Sequence, residues 1–280
     1  MQGKTVVITG ATSGIGEVAA GKLAAMGARI VFVARDKSRG EATLAQLHRL
    51  GPGLNHRAHY ADLSRLSETK RVAEEIAASE SRIDVLMNNA GAMFDRRHET
   101  EDALERTFAL NHMSYFVITQ ILRQRLLATA GSRIVSTASD AHRSATVDFN
   151  DLQLVTGYSS FKAYCKSKLY NILFTRELAR RLKGTGTIAN SLHPGFVATR
   201  FGDEGKGVTA SAFRLAKHLA LTPEKGAQTM IFLASSKDAS SVTGEYFHKC
   251  APKKPTQAAQ DDEAAKRLWT ESARIADIPE

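Results

Sequence analysis

The sequence has few cysteines and no long apolar run. Its two cysteines, Cys165 and Cys250, cannot form a disulfide framework, which favours a reducing compartment and predicts a cytoplasmic protein. No apolar run reaches about 18 residues, so no transmembrane helix is expected. The first strand-like run, residues 5–9, begins so near the N-terminus that we expect no signal peptide or presequence.

Acidic residues are also fewer than basic ones, and the formal net charge is +9. Such a balance is compatible with nucleic-acid binding. However, the basic residues are dispersed along the chain and form no stripe interleaved with aromatic residues. We therefore expect a generally basic surface with a pocket for an anionic cofactor, and no nucleic-acid partner.

Short β-branched runs alternate with helical patterns along the whole chain, and the strands are apolar on both faces. This pattern predicts an α/β fold in which residues 1–280 form one domain, with a single doubly wound, Rossmann-type parallel sheet and helices on both faces. The predicted strands are 5–9, 29–34, 55–60, 83–88, 132–137, 187–192 and 245–248. The predicted helices are 14–26, 38–50, 65–79, 101–128, 159–183, 222–235 and 260–275. Residues 140–158 form a long connection of the kind that is usually functional or mobile.

A glycine-rich turn, Thr9–Gly16, follows the first predicted strand and opens a helix. Its spacing is G-x-x-x-G-x-G. Gly10 would permit the tight turn, Gly14 would let a pyrophosphate approach the backbone, and Gly16 would let the helix pack closely on the sheet. The position favours a dinucleotide site over a merely glycine-rich turn. The predicted cofactor contacts here are Gly10, Ser13, Gly14, Ile15 and Gly16.

The second predicted strand lacks an acidic residue at the position that would bind the adenosine ribose hydroxyls. Ala34 stands there, and Arg35 follows with a planar cation suited to phosphate. Asp36 comes one residue later and could instead start the turn, while Arg39 fits either a phosphate contact or a solvated helix position. This favours NADP over NAD as the cofactor.

Tyr164 and Lys168 are four residues apart, which places both side chains on one face of a helix. A positive charge beside a phenol favours the phenolate, so we expect Lys168 to lower the pKa of Tyr164 and to make it an acid/base group. Tyr158 and Lys162 have the same spacing. Spacing alone does not separate the two pairs, although Ser159 could cap a helix that begins after Tyr158.

The order of these landmarks resembles that of the short-chain dehydrogenase/reductase family. The matching positions are Thr9–Gly16, Asp62-Leu63, Asn88–Gly91, Asn111, Ser139, Tyr164, Lys168 and Pro194-Gly195. Finer matches resemble the retinol dehydrogenase branch, namely Ala163–Leu169, Leu173–Leu182, Ser191–Gly195 and Arg267–Trp269. The resemblance implies that Tyr164, not Tyr158, is the acid/base group.

The resemblance also implies roles for the other catalytic positions. Ser139 would hydrogen-bond the substrate oxygen, with Ser136 and Thr137 as rivals that fit strand positions better. Lys168 would also hold the nicotinamide ribose. Asn111 would hold a water that relays protons to Lys168, unless it is a buried helix amide that bonds backbone.

Further positions are implied for the cofactor. Asp62 would accept a hydrogen bond from the adenine amino group, or would cap a helix before Ser64. The next residue, Leu63, is also expected to contact the cofactor. Asn89, Ala90 and Gly91 would pass beneath the adenosine. The residues expected around the nicotinamide carboxamide are Pro194, Gly195, Val197 and Thr199. No metal is expected, because the spacing of His142 and His193 supports no site.

The expected function is that of an NADP(H)-dependent oxidoreductase that interconverts an apolar alcohol and its aldehyde or ketone. The alternative is a non-catalytic NADP-binding regulator on the same fold. Residues 196–221 are predicted to carry a substrate lid, in which 208–221 forms a short apolar helix over a lipophilic pocket. That helix could instead pack on the core or contact an anionic membrane surface. By resemblance, a homodimer through the helices near 101–128 and 159–183 is expected.

Overall fold

The described residues form an eight-stranded sheet with helices on both faces, which confirms the predicted α/β fold. The computed structural model describes residues 1–197 and 221–279, so Thr199 and nearly all of the predicted lid lie outside the described residues. The strands are β1 Thr5–Thr9, β2 Arg29–Ala34, β3 Arg57–Tyr60, β4 Val85–Asn88, β5 Arg133–Thr137, β6 Ile188–Leu192, β7 Tyr246–His248 and β8 Ala251–Pro252. Their order in the sheet is β3-β2-β1-β4-β5-β6-β7-β8, and all are parallel except β8.

The helices pack on both faces of the sheet, with a separate apolar core on each face. The longer helices are α1 Gly14–Ala25, α2 Lys37–Leu50, α3 Leu66–Ser79, α4 Ser114–Leu127, α5 Ser160–Arg181, α6 Pro223–Ser235 and α7 Asp262–Ala276. Side chains of α3, α4, α5 and α7 pack into one core, and those of α1, α2 and α6 pack into the other. In the described ranges, no helix is long and apolar enough to span a bilayer.

The predicted helix 101–128 is wrong at its N-terminal end. The chain becomes helical only at Arg106 and passes through a π-helical turn, Ala109–Met113, before α4 begins. The reason is the buried Glu105 carboxylate, which accepts hydrogen bonds from the N–H groups of Thr107 and Phe108 and so caps the helix there.

Within the described residues, the sequence pattern also missed three short elements. Residues Asp140–Ser144 form a 3₁₀ helix inside the long connection after β5, Gln257–Gln260 form another before the last helix, and β8 is an antiparallel edge strand of two residues. All three are too short to give a periodic signal. The other predicted strands and helices match within about two residues at each end, which is the usual ambiguity of element boundaries.

The topology places a crevice between β1 and β4. From β1 the chain moves outward through β2 and β3, then returns to pair β4 with the other side of β1. In open parallel sheets, ligands bind outside the carboxyl ends of the strands at such a switch point. The fold thus brings the glycine-rich turn after β1 next to the segment after β4.

The C-terminal helix belongs to the same core as α4 and α5. The Trp269 side chain of α7 is 1% exposed, and its ring lies 5.0 Å from that of Phe116 and 5.8 Å from that of Phe174. Since all three aromatic rings pack together, α7 contributes to the main core and does not form a separate appendage.

Trp269→Ala should lower the free energy of unfolding by about 3–5 kcal/mol, because it empties a large buried volume. The measurement is a denaturant unfolding curve, in which we expect one cooperative transition for a single domain. Lys266→Ala, an exposed change on the same helix, should stay within about 0.5 kcal/mol. Similar values for both variants would contradict a structural role for α7.

Candidate active site

One cavity of about 620 Å³ opens at the carboxyl ends of the central strands. It brings together most of the positions predicted from the sequence. The predicted residues that line it are Gly10, Ser13, Gly14, Ile15, Arg35, Asn89, Ala90, Gly91, Ser139, Tyr164, Lys168, Pro194, Gly195 and Val197. The predicted positions Gly16, Asp62, Leu63 and Asn111 are not among its lining residues.

The glycine-rich turn is built for close backbone approach. Gly10 and Gly14 have φ angles of 70° and 59°, a region that favours glycine. A Cβ atom on Gly10 would lie 2.9 Å from Ala90 Cα, and one on Gly16 would lie 2.2 Å from the Gly10 carbonyl oxygen. Gly16 therefore acts by packing rather than by lining the cavity.

Side chains hold this turn against the segment after β4. The Thr9 hydroxyl oxygen accepts hydrogen bonds from the N–H groups of Asn89 (2.9 Å) and Ala90 (3.0 Å). The Asn89 amide donates to the carbonyl oxygens of Thr9 and Gly10. Helix α1 begins at Gly14, and no Ser13 side-chain bond caps it. An open helix N-terminus beside a bare glycine turn fits the pyrophosphate of a dinucleotide.

At the end of β2, Arg35 is exposed and lines the cavity. The Asp36 carboxylate, one residue further on, accepts a hydrogen bond from the Arg39 N–H at 2.8 Å and caps α2. Asp36 is therefore engaged in starting a helix, which is one of the two roles considered from the sequence, and the Arg35 cation lines the cavity.

Tyr164 lies inside α5 and Tyr158 lies outside it. The helix begins at Ser160, where the Ser159 hydroxyl accepts a hydrogen bond from the Lys162 N–H. Tyr158 precedes this cap and donates its hydroxyl proton to the Phe94 carbonyl oxygen at 3.1 Å. It is Tyr164, one helical turn further, that faces the cavity.

The Tyr164 hydroxyl shares a hydrogen bond with the Ser139 side chain. Burial raises the pKa of Tyr164 to about 12, because it penalises the phenolate more than the Ser139 hydrogen bond favours it. The net pKa of Tyr164 is therefore raised, whereas the sequence analysis expected it to be lowered, because burial has the larger effect. In the structure, Tyr164 is a protonated group that is poised to donate.

Lys168 is buried behind the tyrosine. Its ammonium donates a hydrogen bond to the Thr137 carbonyl oxygen at 3.0 Å and lies 5.5 Å from the centre of the Tyr164 ring. Burial lowers the pKa of Lys168 to about 7. The ammonium is close enough to the cavity to line it and is shielded from bulk water.

Asn111 sits in the π-helical turn, and backbone groups engage its side chain. The amide group donates to the Ala92 carbonyl oxygen and accepts from the Ala92 N–H, both at 2.9 Å, and it also donates to the Ser167 hydroxyl. These bonds match the alternative role considered for Asn111, that of a buried helix amide that bonds backbone groups. They fix the segment after Gly91 at the cavity floor.

Asp62 forms a local turn and caps no helix, because α3 begins at Leu66 with Arg65 as its N-cap. The Asp62 Oδ1 atom accepts hydrogen bonds from the N–H (3.0 Å) and the hydroxyl (2.8 Å) of Ser64. Leu63 is buried beside it. This pair shapes the turn after β3 and does not reach the cavity lining.

Comparisons with known proteins show which family this chain resembles. The family model described as short chain dehydrogenase matches residues 4–206. The chain is 40% identical to human retinol dehydrogenase 13 over 98% of this chain and 84% of that protein. It is 38% identical to human retinol dehydrogenase 14 over 96% of this chain and 85% of that one.

This chain belongs to the short-chain dehydrogenase family. It falls in the retinol dehydrogenase-like branch and is an oxidoreductase of that family. The solved structures that share its fold include the following two. An uncharacterized protein from Mycobacterium paratuberculosis has a TM-score of 0.80 and 30% identity over 99% of this chain and 94% of that one. A short chain dehydrogenase from Burkholderia cenocepacia, solved with NADP, has a TM-score of 0.70 and 27% identity over 88% and 96%.

The cavity of this short-chain dehydrogenase includes residues that sequence reasoning missed. Three of them, Phe94, Phe161 and Phe196, are aromatic, and two others, Asp140 and His193, are ionisable. His193 was considered only as a metal ligand, and the described residues contain no metal-binding group of His, Cys, Asp and Glu. The signal that could have found it is its position directly before Pro194 and Gly195.

The lowered pKa of Lys168 gives a test that does not depend on activity. Below its ordinary pKa of 10.5 and down to about 7, the folded state holds fewer protons at Lys168 than the unfolded state does. The contribution of Lys168 to the free energy of unfolding should therefore fall as the pH falls through this window, by about 1.4 kcal/mol for each unit of pKa lowering.

As the pH falls from 10 to 7, the free energy of unfolding of the unmutated protein should fall relative to that of Lys168→Met. The measurement is chemical unfolding of both proteins across this range. Lys162→Met, an exposed change on the same helix, should show no such trend relative to the unmutated protein. A pH-independent difference for Lys168→Met would contradict a buried, destabilised ammonium.

Proposed function

We propose that this chain is an NADP(H)-dependent oxidoreductase that interconverts an apolar alcohol and its aldehyde or ketone. The observation that carries the proposal is the hydrogen-bonded pair Ser139 and Tyr164, which lies beside the Lys168 ammonium. This group shares a single cavity with the glycine turn at Gly10 and Gly14.

The cofactor would occupy the cavity from Arg35 to Pro194. When bound, NADPH supplies the hydride. The turn residues and the N-terminus of α1 would bind the pyrophosphate, and the segment after β4 would support the adenosine half. Pro194, Gly195 and Val197 would line the carboxamide site, with Thr199 proposed from the resemblance alone. NAD is the second choice, because an arginine lines the cavity where a ribose-binding carboxylate would be needed.

Tyr164 would donate its proton to the substrate oxygen during reduction, for which its raised pKa keeps it protonated. Ser139 would donate a second hydrogen bond to the same oxygen and fix its position. Lys168 would bind the nicotinamide ribose and, when charged, would favour the phenolate during oxidation. Asn111 would support the floor of the site through Ala92, because its amide is engaged there.

The substrate would be apolar. Phe94, Phe161 and Phe196 line the cavity, and the side chains of Phe161 and Phe196 remain 48% and 47% exposed at its mouth. Exposed aromatic groups that border a cleft are typical of sites for apolar ligands. The relatives named retinol dehydrogenases support the same substrate class.

Tyr164→Phe should lower kcat by roughly a hundredfold or more, because it removes the transferred proton and keeps the ring. NADPH binding, measured by fluorescence titration, should persist. The matched control is Tyr158→Phe, which removes only a hydroxyl that bonds the Phe94 carbonyl. If Tyr158→Phe were the inactive variant, the assignment of the acid would be wrong.

Arg35→Ala should weaken NADPH binding far more than NADH binding, since only NADPH carries the 2′-phosphate. The loss of one charge-assisted hydrogen bond should cost about 1.5–3 kcal/mol. Calorimetric titration with both cofactors measures the difference. Arg49→Ala, an exposed change at the far end of α2, should leave both affinities unchanged. Equal losses for both cofactors in Arg35→Ala would show that Arg35 does not discriminate.

A series of straight-chain aldehydes tests the substrate class, with NADPH oxidation as the readout. Each added methylene should raise kcat/KM several-fold until the pocket fills, because burying one contributes about 0.8 kcal/mol. Phe161→Ser should flatten the trend. A flat profile in the unmutated protein would contradict an apolar pocket. Tight NADPH binding without turnover of any carbonyl would favour the non-catalytic regulator.

A further inference from the structure

His193 lies between the two turns that would hold the substrate oxygen and the nicotinamide. It follows β6 directly and lines the cavity. Its Nδ1 atom accepts hydrogen bonds from the Asp140 N–H at 3.3 Å and the Gly195 N–H at 3.4 Å. Asp140 is the neighbour of Ser139, and Gly195 follows Pro194. One ring nitrogen thus joins the serine turn to the proline-glycine turn.

These two bonds assign the tautomer of the ring. Because two N–H groups donate to Nδ1, that nitrogen is unprotonated and the proton resides on Nε2. The Nε2 atom faces the Asp140 carboxylate, 3.5 Å from Oδ2. The carboxylate thereby stabilises the tautomer that the backbone groups require.

Asp140 is itself held firmly in its ionised form. It accepts hydrogen bonds from the Lys253 ammonium at 2.6 Å and from the Tyr246 hydroxyl at 2.9 Å. Burial favours the neutral acid, but these bonds outweigh it and lower the pKa of Asp140 to about 2. Tyr246 is on β7 and Lys253 follows β8, so the serine turn is tied to the far edge of the sheet.

The His193 ring is neutral and fixed in orientation. Its plane stacks on that of His248, with 4.8 Å between the ring centres. Burial lowers the pKa of His193 to about 4; the charge of Asp140 raises this pKa, while His248, Lys253 and His142 lower it further. At neutral pH, Nδ1 therefore remains an acceptor.

We propose that His193 is a positioning residue. Its Nδ1 atom accepts hydrogen bonds from both Asp140 and Gly195, and it thereby sets the distance between Ser139 and the proline-glycine turn. This inference rests on the proposed function of the Ser139 and Tyr164 pair. Each hydrogen bond is longer than the usual 2.9–3.0 Å, so the effect depends on both acting together. His193 does not touch the reacting atoms; it acts through the turns.

Loss of the acceptor should therefore affect the chemical step more than cofactor binding. A displacement of about 1 Å between reacting groups can reduce a rate a hundredfold. His193→Leu should lower kcat at least tenfold, while the NADPH Kd changes by less than about threefold. His193→Asn should retain kcat within about fivefold, because its side-chain oxygen can replace Nδ1 as the acceptor.

The matched control is His56→Leu. His56 is another buried histidine whose Nδ1 accepts a backbone hydrogen bond, from the Ile30 N–H at 3.0 Å, but it lies at the opposite end of the strands. The His56→Leu variant should be less stable than the unmutated protein but should keep its kcat. The inference would be overturned if His193→Leu lost no more kcat than His56→Leu, or if His193→Asn were as inactive as His193→Leu.

A second readout does not need turnover. In ¹⁵N spectra, the signal that disappears in His193→Asn should report an unprotonated Nδ1 and a protonated Nε2 at neutral pH. In Asp140→Asn the same tautomer should persist, because the backbone N–H groups of residues 140 and 195 still donate to Nδ1. The opposite tautomer, or a charged ring, in the unmutated protein would refute the inference. If instead the tautomer is as expected and no carbonyl is reduced, the proposed function fails and the geometry of the turns stands.

Discussion

The buried Lys168 ammonium and the Thr137 carbonyl oxygen form the contact on which the site depends. Taking an ammonium out of water is costly unless it gains partners, and here the partner is a backbone group at the end of β5. The bond joins α5 to the strand that leads into Ser139. Because Tyr164 is one turn earlier on the same helix, the same bond fixes the tyrosine hydroxyl beside the serine.

A second constraint comes from the crowded crevice between β1 and β4. There the glycine turn and the segment after Asn88 are in contact through backbone atoms, with no room for a Cβ on Gly10. A Cβ on Gly91 would lie 3.5 Å from the Lys168 ammonium and 3.2 Å from the Asn111 amide oxygen. The glycine turn and the Lys168 and Asn111 side chains are therefore connected through the backbone around Gly91. Because these groups are in direct contact, a displacement of one displaces the others.

The sequence predicted the features that depend on local patterns. The strand and helix alternation, the glycine turn and the position of Tyr164 inside a helix after Ser159 all follow from short-range chemistry. Residues 101–105 were misjudged because Glu, Ala and Leu favour helix there, whereas the buried Glu105 carboxylate starts the helix only at Arg106.

Other features depend on contacts between residues far apart in the chain. The pKa of Tyr164 is set by how completely α5 is buried, which spacing to Lys168 does not reveal. Asp140 is held by Tyr246 and Lys253, more than 100 residues away, so its role was invisible in the sequence. Asp62 and Asn111 were expected to contact the adenine and a relay water, whereas their side chains form hydrogen bonds with neighbouring protein groups.

We propose that, in the cavity between the glycine turn and Tyr164, a hydride passes from NADPH to the carbonyl carbon of the substrate. The most direct test uses NADPH deuterated at both C4 positions and a long-chain aldehyde, with mass analysis of the product. We expect the unmutated protein to form an alcohol that carries one deuterium at its carbinol carbon, and Tyr164→Phe to form almost none. An unlabelled alcohol, or the same labelled product from Tyr164→Phe at an undiminished rate, would contradict it.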